Sequence, residues 1–390
     1  MLDNLLYQIS EQRKQELNDL YYKRGRLVIT YFPFHTPLEL LEASGVEYLS
    51  WPWYVQLYGY PERYVRDRIT DLYLPAPPFG FCMFSRTNFT LNVKYPRPEI
   101  RFVHAYTCDA YTKMWEYMEK DFPVYYFNLP REDPGRAFDY WYAQVEDFKK
   151  YLEKISGQPI DDQAMAAAIE RERQIREKLR WLSARRGPAF KSSHAYTLLT
   201  MRHLLGQGAY LQLLDNVISM VQAEEGHPKN LFCLAGSFFE EPSPTTMPDV
   251  VTPVKILEFC EENGCTTIES AWIPILVEDG IGQFGIEPSA DPLRQIARDS
   301  LERYPHPAIT DTHSRAQAYI DLAKQSGARG MFFMNYQGCR LYLVESHWAQ
   351  SLAEKQGIPY HHIQTRAEEA ELPDLLNDIR TFITIHQATV

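Results

Sequence analysis

What this chain lacks narrows it before anything it contains. No stretch approaches the ~18 uninterrupted apolar residues of a membrane-spanning helix. The opening MLDNLLYQISEQRKQELNDLYYKRG is amphipathic and charged within a few residues, unlike a secretory signal peptide. Positive charge is not in excess: 40 Lys and Arg stand against 51 Asp and Glu, a formal net charge of −11. That argues against a general nucleic-acid binder, whose affinity rests on neutralising phosphates. No G-x-x-x-x-G-K-[ST] run is present, so no phosphate cradle of that kind is expected. Cysteine is sparse, six in 390 residues, and no C-x-x-C occurs. A secreted disulfide scaffold, a zinc ribbon and a ferredoxin-type cluster run are thereby excluded. Any metal site must be assembled from distant parts of the fold. A soluble, cytoplasmic protein is expected, with no nucleic-acid and no membrane partner.

What is present describes an ordinary globular chain. Hydrophobic residues make up 45% and charged residues 23%, so a packed core is expected and disorder is not. Its length points to two domains. The 26 tyrosines suggest thick packing and cavity walls with polar tips. Along the chain, an opening helix runs to Gly25, "RLVITYF" is a short buried strand, and "TPLELLEASGVEYLSW" is a helix leading to a second strand. Thr36 is placed as its N-cap and Pro37 in its first turn. "IRFVHAYTCDAYTKMWEYMEK" reads as strand into helix and "FPVYYFNLP" as the next strand. From about Arg136 to Gln222 the pattern is helical, with one helix stopping at Gly187-Pro188. Strands and helices then alternate again through "NLFCLAG", "VTPVKILEFCEENGCTTIESAW", "RAQAYIDLAKQSGARGMFFMNY" and "LYLVESHWAQSLAEKQGIPYHHIQT". Alternation of this kind implies parallel sheets covered by helices on both faces, with ligands collecting at the carboxyl ends of the strands. We place an N-terminal α/β domain at 1–228, including the helical segment of about 136–222, and a C-terminal α/β domain at 229–390. The helical segment is expected to pack mainly on the first.

That rule gives three cysteines a meaning. Cys108, in "VHAYTCDAYTKMW", and Cys339, in "FMNYQGCRLYLVES", each follow a buried strand and open a helix. A thiolate there feels the helix N-terminus and nearby backbone N–H groups, which favour metal ligation. Cys82, in "PPFGFCMFSRTN", follows a turn-rich stretch and precedes an expected helix. Cys233 lies inside a strand, Cys260 in a helix, and Cys265 just beyond that helix's closing glycine; packing is the commoner role for such residues. His35, His104 and Asp109 are each candidates for proton transfer or for a supporting hydrogen bond, in competition with a structural or capping role. Arg86 could face an anion or simply solvent. Glu345 and His347 follow Cys339 on its helix, turned away from it by different angles. The row Arg171, Arg173, Arg176, Lys178, Arg180, Arg185 and Arg186 could meet the phosphates of a ligand, or a partner. Interleaved with Glu170, Glu172 and Glu177, it is more simply a solvated helix face.

Several of these segments, in order, resemble the [4Fe-4S] subunits of the 2-hydroxyacyl-CoA dehydratase and benzoyl-CoA reductase family. They are "ITYFPFHTPLELLEASGVE", the Cys82 region with Arg86, "YTCDAYTKMWEYMEKDFPVYYFNLPRE", "FKKYLEKISGQPIDDQAMAAAIERERQIREKL", "DPLRQIARDSLER" and "SGARGMFFMNYQGCRLYLVESHWAQSLAEKQGIPYHHIQT". The chain departs from the family at "IESAWIP", where acidic residues are usual, and at Arg340-Leu341-Tyr342, in place of an acidic-proline turn. The resemblance implies two Rossmann/flavodoxin-like parallel-sheet domains with a helical segment between them. It implies that Cys82, Cys108 and Cys339 bind three irons of a [4Fe-4S] cluster at the domain junction, the fourth iron being left to a small ligand. The implied activity is radical dehydration of an acyl-CoA, driven by a low-potential electron from a separate ATP-hydrolysing activator protein. ATP-dependent reduction of an aromatic acyl-CoA, and a non-catalytic electron-relay or structural subunit, are the alternatives. A homologous second subunit is implied as partner, in a heterodimer or a homodimer.

Overall fold

The structure is a computed structural model that describes residues 2–19, 28–31, 35–50, 53, 100–106, 108–119, 123–130, 134–221, 230–240, 251–276, 291–302, 311–366 and 369–387. The end expected for the first helix at Gly25, and the segment around Cys82 and Arg86, lie outside these residues. Two four-stranded sheets organise the rest. The first contains β1 (Val28–Tyr31), β2 (Glu47–Ser50), β3 (Ile100–Tyr106) and β4 (Val124–Asn128) in the order β2-β1-β3-β4. The second contains β5 (Leu231–Ala235), β6 (Thr266–Glu269), β7 (Met331–Tyr336) and β8 (Tyr360–Thr365) in the order β6-β5-β7-β8. Every pairing is parallel, so the expected α/β architecture is present twice with the same strand order.

Local chemistry explains these elements. β5 and β7 are buried along their whole length, and their sequences LFCLA and MFFMNY read as near-continuous apolar runs. A strand covered on both faces requires that composition. In the first half, α1 (Leu2–Asn18) is followed by α2 (Leu38–Ser44) and α3 (Asp109–Met118). The start of α2 differs from expectation by one residue. Pro37 is its N-cap and has no side-chain cap bond, while the Pro37 carbonyl accepts from Leu40 N at 3.1 Å.

The helical segment is four helices: α4 (Pro134–Ser156), α5 (Asp162–Ser183), α6 (Ser192–Met201) and α7 (Gln207–Val221). Asp161 caps α5 by accepting from Ala164 N at 2.8 Å, and α5 closes at Ser183, short of Gly187-Pro188. These helices serve both sheets rather than mainly the first. α4 and α5 pack on α2, whereas α6 packs on β6 and on the helix Pro253–Glu262 of the second half. Trp53 Nε1 donates to the Thr200 carbonyl at 2.6 Å and Ser50 N to the His203 carbonyl at 2.8 Å, tying the end of α6 back to β2.

The second half continues through α8 (Ser237–Glu240), α9 (Pro253–Glu262), α10 (Ile273–Leu276), α11 (Pro292–Glu302), α12 (Thr312–Gln325), α13 (Arg340–Lys355) and α14 (Leu372–Gln387). At the end of α9, Gly264 takes φ +75°, Cys265 N donates to Cys260 O at 2.9 Å and Gly264 N to Glu261 O at 3.0 Å. That is a Schellman closure, and it places Cys260 and Cys265 in the core. α11 crosses back to the first half. Its Ile296, Ala297 and Leu301 share an apolar cluster with Leu40, Phe127, Trp141 and Phe148, and Trp141 Nε1 donates to Ser300 Oγ at 3.1 Å.

The basic row of α5 is taken up structurally. Arg173 pairs with Glu170 and Glu177, Lys178 with Asp215, and Arg176 with Glu172. Arg180 donates to the Ile275 carbonyl at 2.7 Å, and Arg185 lies over the Trp181 ring at 3.7 Å. Arg186 is buried: its Nη1 donates to Glu269 Oε2 at 2.8 Å and to the Thr267 carbonyl at 2.7 Å, with its guanidinium over Trp272. Ser192 Oγ also donates to the Thr267 carbonyl at 2.9 Å, so the turn before α6 is fastened to β6 by polar bonds inside an apolar wall.

Removing one partner of that pair strands a buried charge. Glu269→Leu is expected to cost about 3–5 kcal/mol of stability, and Arg186→Met with Glu269→Leu much less than the two single changes summed. Urea unfolding of the four proteins checks this. At the carboxyl end of β5, Gly236 has φ +100°, and a Cβ there would lie 2.4 Å from the Met334 carbonyl oxygen. Gly236→Ala is expected to lose about 1–3 kcal/mol from backbone conformation alone, before the collision with β7 is counted. Thermal unfolding measures the loss.

Candidate functional site

The strand order determines where a ligand can enter. In each sheet the chain moves from the first strand to one side and then returns to the other. The crossovers separate at the carboxyl ends of β1 and β3, and again at those of β5 and β7. Such a reversal opens a crevice in an α/β sheet. Cys108 follows β3 and Cys339 follows β7, so the two cysteines occupy the same topological position in the two sheets.

Their local geometry also matches. Cys108 is the N-cap of α3, with φ −119° and ψ 161°, and Cys339 is the N-cap of α13, with φ −78° and ψ 94°. Neither side chain makes a cap hydrogen bond to its helix, and neither cysteine is in a disulfide. The Cys108 carbonyl accepts from Thr112 N at 2.9 Å and the Cys339 carbonyl from Leu343 N at 3.1 Å, the first helical bonds of each element. Both side chains are half-buried, and both pack against one apolar cluster that includes Trp115, Ile175, Cys233, Met331 and Tyr342. The turn before Cys339 is tight: Gly338 has φ +83°, Cys339 N donates to Tyr336 O at 3.1 Å, and Gln337 N donates to Thr365 O at 2.8 Å. A residue with a Cβ would be strained at that φ, which explains the glycine.

The other three cysteines are unlike these. Cys233, Cys260 and Cys265 are buried, and burial pushes each thiol up from its ordinary range. A buried thiol in apolar surroundings stays protonated and inert. The chemistry of the donor set therefore fits a thiolate-bound group at Cys108 and Cys339 and does not fit one at the other three. Among the described residues no group of three or more His, Cys, Asp and Glu suited to a metal ion occurs, and Cys82 lies outside those residues.

The remaining sequence candidates fall in different places. His35 is buried just before α2 with φ +56°, an uncommon value for a residue with a side chain. Its Nδ1 lies 3.0 Å from the Ser300 carbonyl and its ring stands edge-on to Trp141. Burial lowers its pKa to about 4 against backbone hydrogen bonds from Ser300 and Leu301. The ring is thus neutral at pH 7 and links the end of α11 to the first sheet. His104 lies on β3 opposite Tyr126. Asp109 is exposed at the first position of α3, and His347 is exposed on α13.

Glu345 is the surprise. It is fully buried on α13 and belongs to a polar group assembled from three helices. Arg315 Nε on α12 donates to Glu345 Oε1 at 2.8 Å, and Arg315 Nη2 donates to Glu240 Oε2 at 2.7 Å. Tyr319 Oη donates to Glu240 Oε1 at 2.6 Å and Tyr342 Oη to Glu240 Oε2 at 2.8 Å. Burial pushes the Glu240 carboxyl up, but Arg315 and the two phenols outweigh it and hold the group below its ordinary range. Burial dominates at Glu345 and raises it to about 7, against the pull of Arg315. Glu240, Arg315 and Tyr319 were not singled out from the sequence, and Tyr342 was named only as part of a departure from the family pattern. The one local signal was an arginine sharing a helix face with Tyr319 and Leu322, where a core residue is expected.

Comparison with known proteins agrees with this architecture. Residues 33–383 match the family model described as 2-hydroxyglutaryl-CoA dehydratase, D-component. The chain is 20% identical over 380 residues to a subunit of benzoyl-CoA reductase from Thauera aromatica, covering 92% of this chain and 90% of that protein. It is 23% identical over 401 residues to YjiM of Escherichia coli (strain K12), described as a dehydratase subunit, with 96% of each chain covered. A family match across nearly the whole chain, on two parallel sheets of one topology, identifies the protein as a member of the family of 2-hydroxyglutaryl-CoA dehydratase D-components.

Proposed function

We propose that this chain is the iron–sulfur catalytic subunit of a 2-hydroxyacyl-CoA dehydratase-type enzyme, with Cys82, Cys108 and Cys339 as ligands of a [4Fe-4S] cluster. The observation that carries the reading is the equivalence of Cys108 and Cys339, each the N-cap of the helix that leaves a sheet reversal. When bound, such a cluster supplies a single strongly reducing electron to the thioester of an acyl-CoA. The chain's own part is to hold two thiolates where backbone N–H groups of α3 and α13 favour negative charge. Packing of both side chains against the apolar cluster limits the access of water to them. No phosphate cradle of the P-loop kind is present, so the ATP hydrolysis that drives the electron belongs to a separate activator protein. Thiols kept reduced in this way suit the cytoplasm.

A related second subunit is part of this proposal. Val344 and Trp348 stand exposed on α13, the helix that Cys339 opens, as apolar surface that such a partner would cover. The match to a benzoyl-CoA reductase supports a second reading, in which the electron enters an aromatic acyl-CoA instead.

After anaerobic purification, Cys82→Ser, Cys108→Ser and Cys339→Ser are each expected to lose iron and sulfide while remaining folded. Cys233→Ser, with its hydroxyl placed in an apolar strand, is expected to keep iron and lose about 1–3 kcal/mol of stability. A full cluster in Cys339→Ser sinks the assignment. Supplying activator, ATP and a panel of thioesters separates elimination of water from ring reduction, and a clustered protein inactive with every thioester is an electron relay. Light scattering of the purified protein is expected to report at least a dimer, and a stable, active monomer refutes the partner.

A further inference from the structure

Among the described residues, the polar group behind the Cys339 turn sets two carboxyl groups against one guanidinium. Arg315 contributes one positive charge, and Glu240 and Glu345 together bring two carboxyl groups into the same buried site. The donors are shared unequally. Glu240 accepts from Arg315 Nη2, Tyr319 Oη and Tyr342 Oη, a set that satisfies an ionised carboxylate. Glu345 accepts at Oε1 from Arg315 Nε, while its Oε2 is buried and meets no hydrogen-bond partner among the described residues. Tyr319 lies close enough to favour the ionised form, yet no described donor is at bonding distance from Oε2, so burial of that oxygen favours the protonated carboxyl.

The group also has a mechanical role. Arg315 and Tyr319 lie on α12, Tyr342 and Glu345 on α13, and Glu240 on α8 at the carboxyl end of β5. Tyr342 is three residues beyond Cys339, in the first turn of its helix. Among the described residues, Tyr360 on β8 also lies near Glu345, and its hydroxyl donates to the Ser346 carbonyl at 2.9 Å. His362, also on β8, faces Asn335 and His347.

We propose that Glu240, Arg315, Tyr319, Tyr342 and Glu345 form a one-proton clamp. Glu345 holds the proton, the clamp locks α13 and the Cys339 turn to α12 and α8, and loss of the proton loosens the lock. The inference stands whether or not Cys339 binds a cluster, because every contact in the clamp is made by the polypeptide alone.

The direction of the pH effect follows from where the proton sits. A carboxyl whose pKa is higher in the folded than in the unfolded chain stabilises the fold while it is protonated. That contribution is lost as pH rises from the ordinary carboxylate range through about 7. The test is hydrogen exchange of the metal-free chain, read by segment at about pH 6 and pH 8 and corrected for intrinsic exchange. Protection of residues 340–355 is expected to fall about tenfold between the two in the wild type. It should change by less than about twofold in Glu345→Gln, whose neutral amide copies the protonated carboxyl. His313, His347, His361 and His362 are present in both proteins, so the difference between them reports Glu345. The helix at 162–183 is the internal control. If protection of 340–355 in the wild type falls no more than that of 162–183, the clamp is refuted, even should the variant fail to fold. An equally steep fall in Glu345→Gln also refutes it.

Discussion

Parallel pairing is the constraint on which the rest of this structure depends. Two parallel strands cannot be joined by a tight turn, so each strand must be followed by a crossover that returns the chain to its starting edge. In both sheets the first strand ends up inside, with the second laid on one side of it and the third on the other. Where that winding reverses, neighbouring crossovers leave in opposite directions and a crevice opens at the carboxyl ends. Cys108 and Cys339 stand there because each follows the strand laid down after the reversal. Two helices and two cysteines reach equivalent positions by one rule applied twice.

Much of this was legible because it is local. The apolar runs of β5 and β7 and the glycine beyond α9 each leave their signal within a few residues. The context of the two cysteines, strand before and helix after, is equally short in range. What was missed depends on partners far apart in the chain. Arg315 meets Glu240 across 75 positions and Tyr342 meets Glu240 across 102, and no periodicity announces either bond. The helical segment read as belonging to the first sheet because it follows it. Its α6 instead packs toward β6, where Arg186 and Ser192 bond the Thr267 carbonyl. At α2, Thr36 is a better capping residue than proline by composition, yet the chain turns into the helix one position later. The surroundings of Cys82 lie outside the described residues.

The two carboxyl ends are held in physically different ways. Next to the first sheet, a neutral His35 bonds the backbone at the end of α11 and packs against Trp141, with no charged side chain in either contact. Behind the second, an arginine, two carboxyl groups and two phenols are removed from water together. Such a group is weak evidence of stability, since apolar residues of the same volume would often serve as well. Its worth lies in geometry. Apolar surfaces tolerate repacking and small slides, whereas Glu240 accepts bonds from both α12 and α13, and their directions leave those helices little freedom to shift. Under the role proposed for Cys339, a thiolate that shares a bound group with residues from elsewhere in the fold would need its backbone fixed to within a fraction of an ångström. The cost of burying charge is reasonable at that one place, and the first turn of α13 is where the structure incurs it.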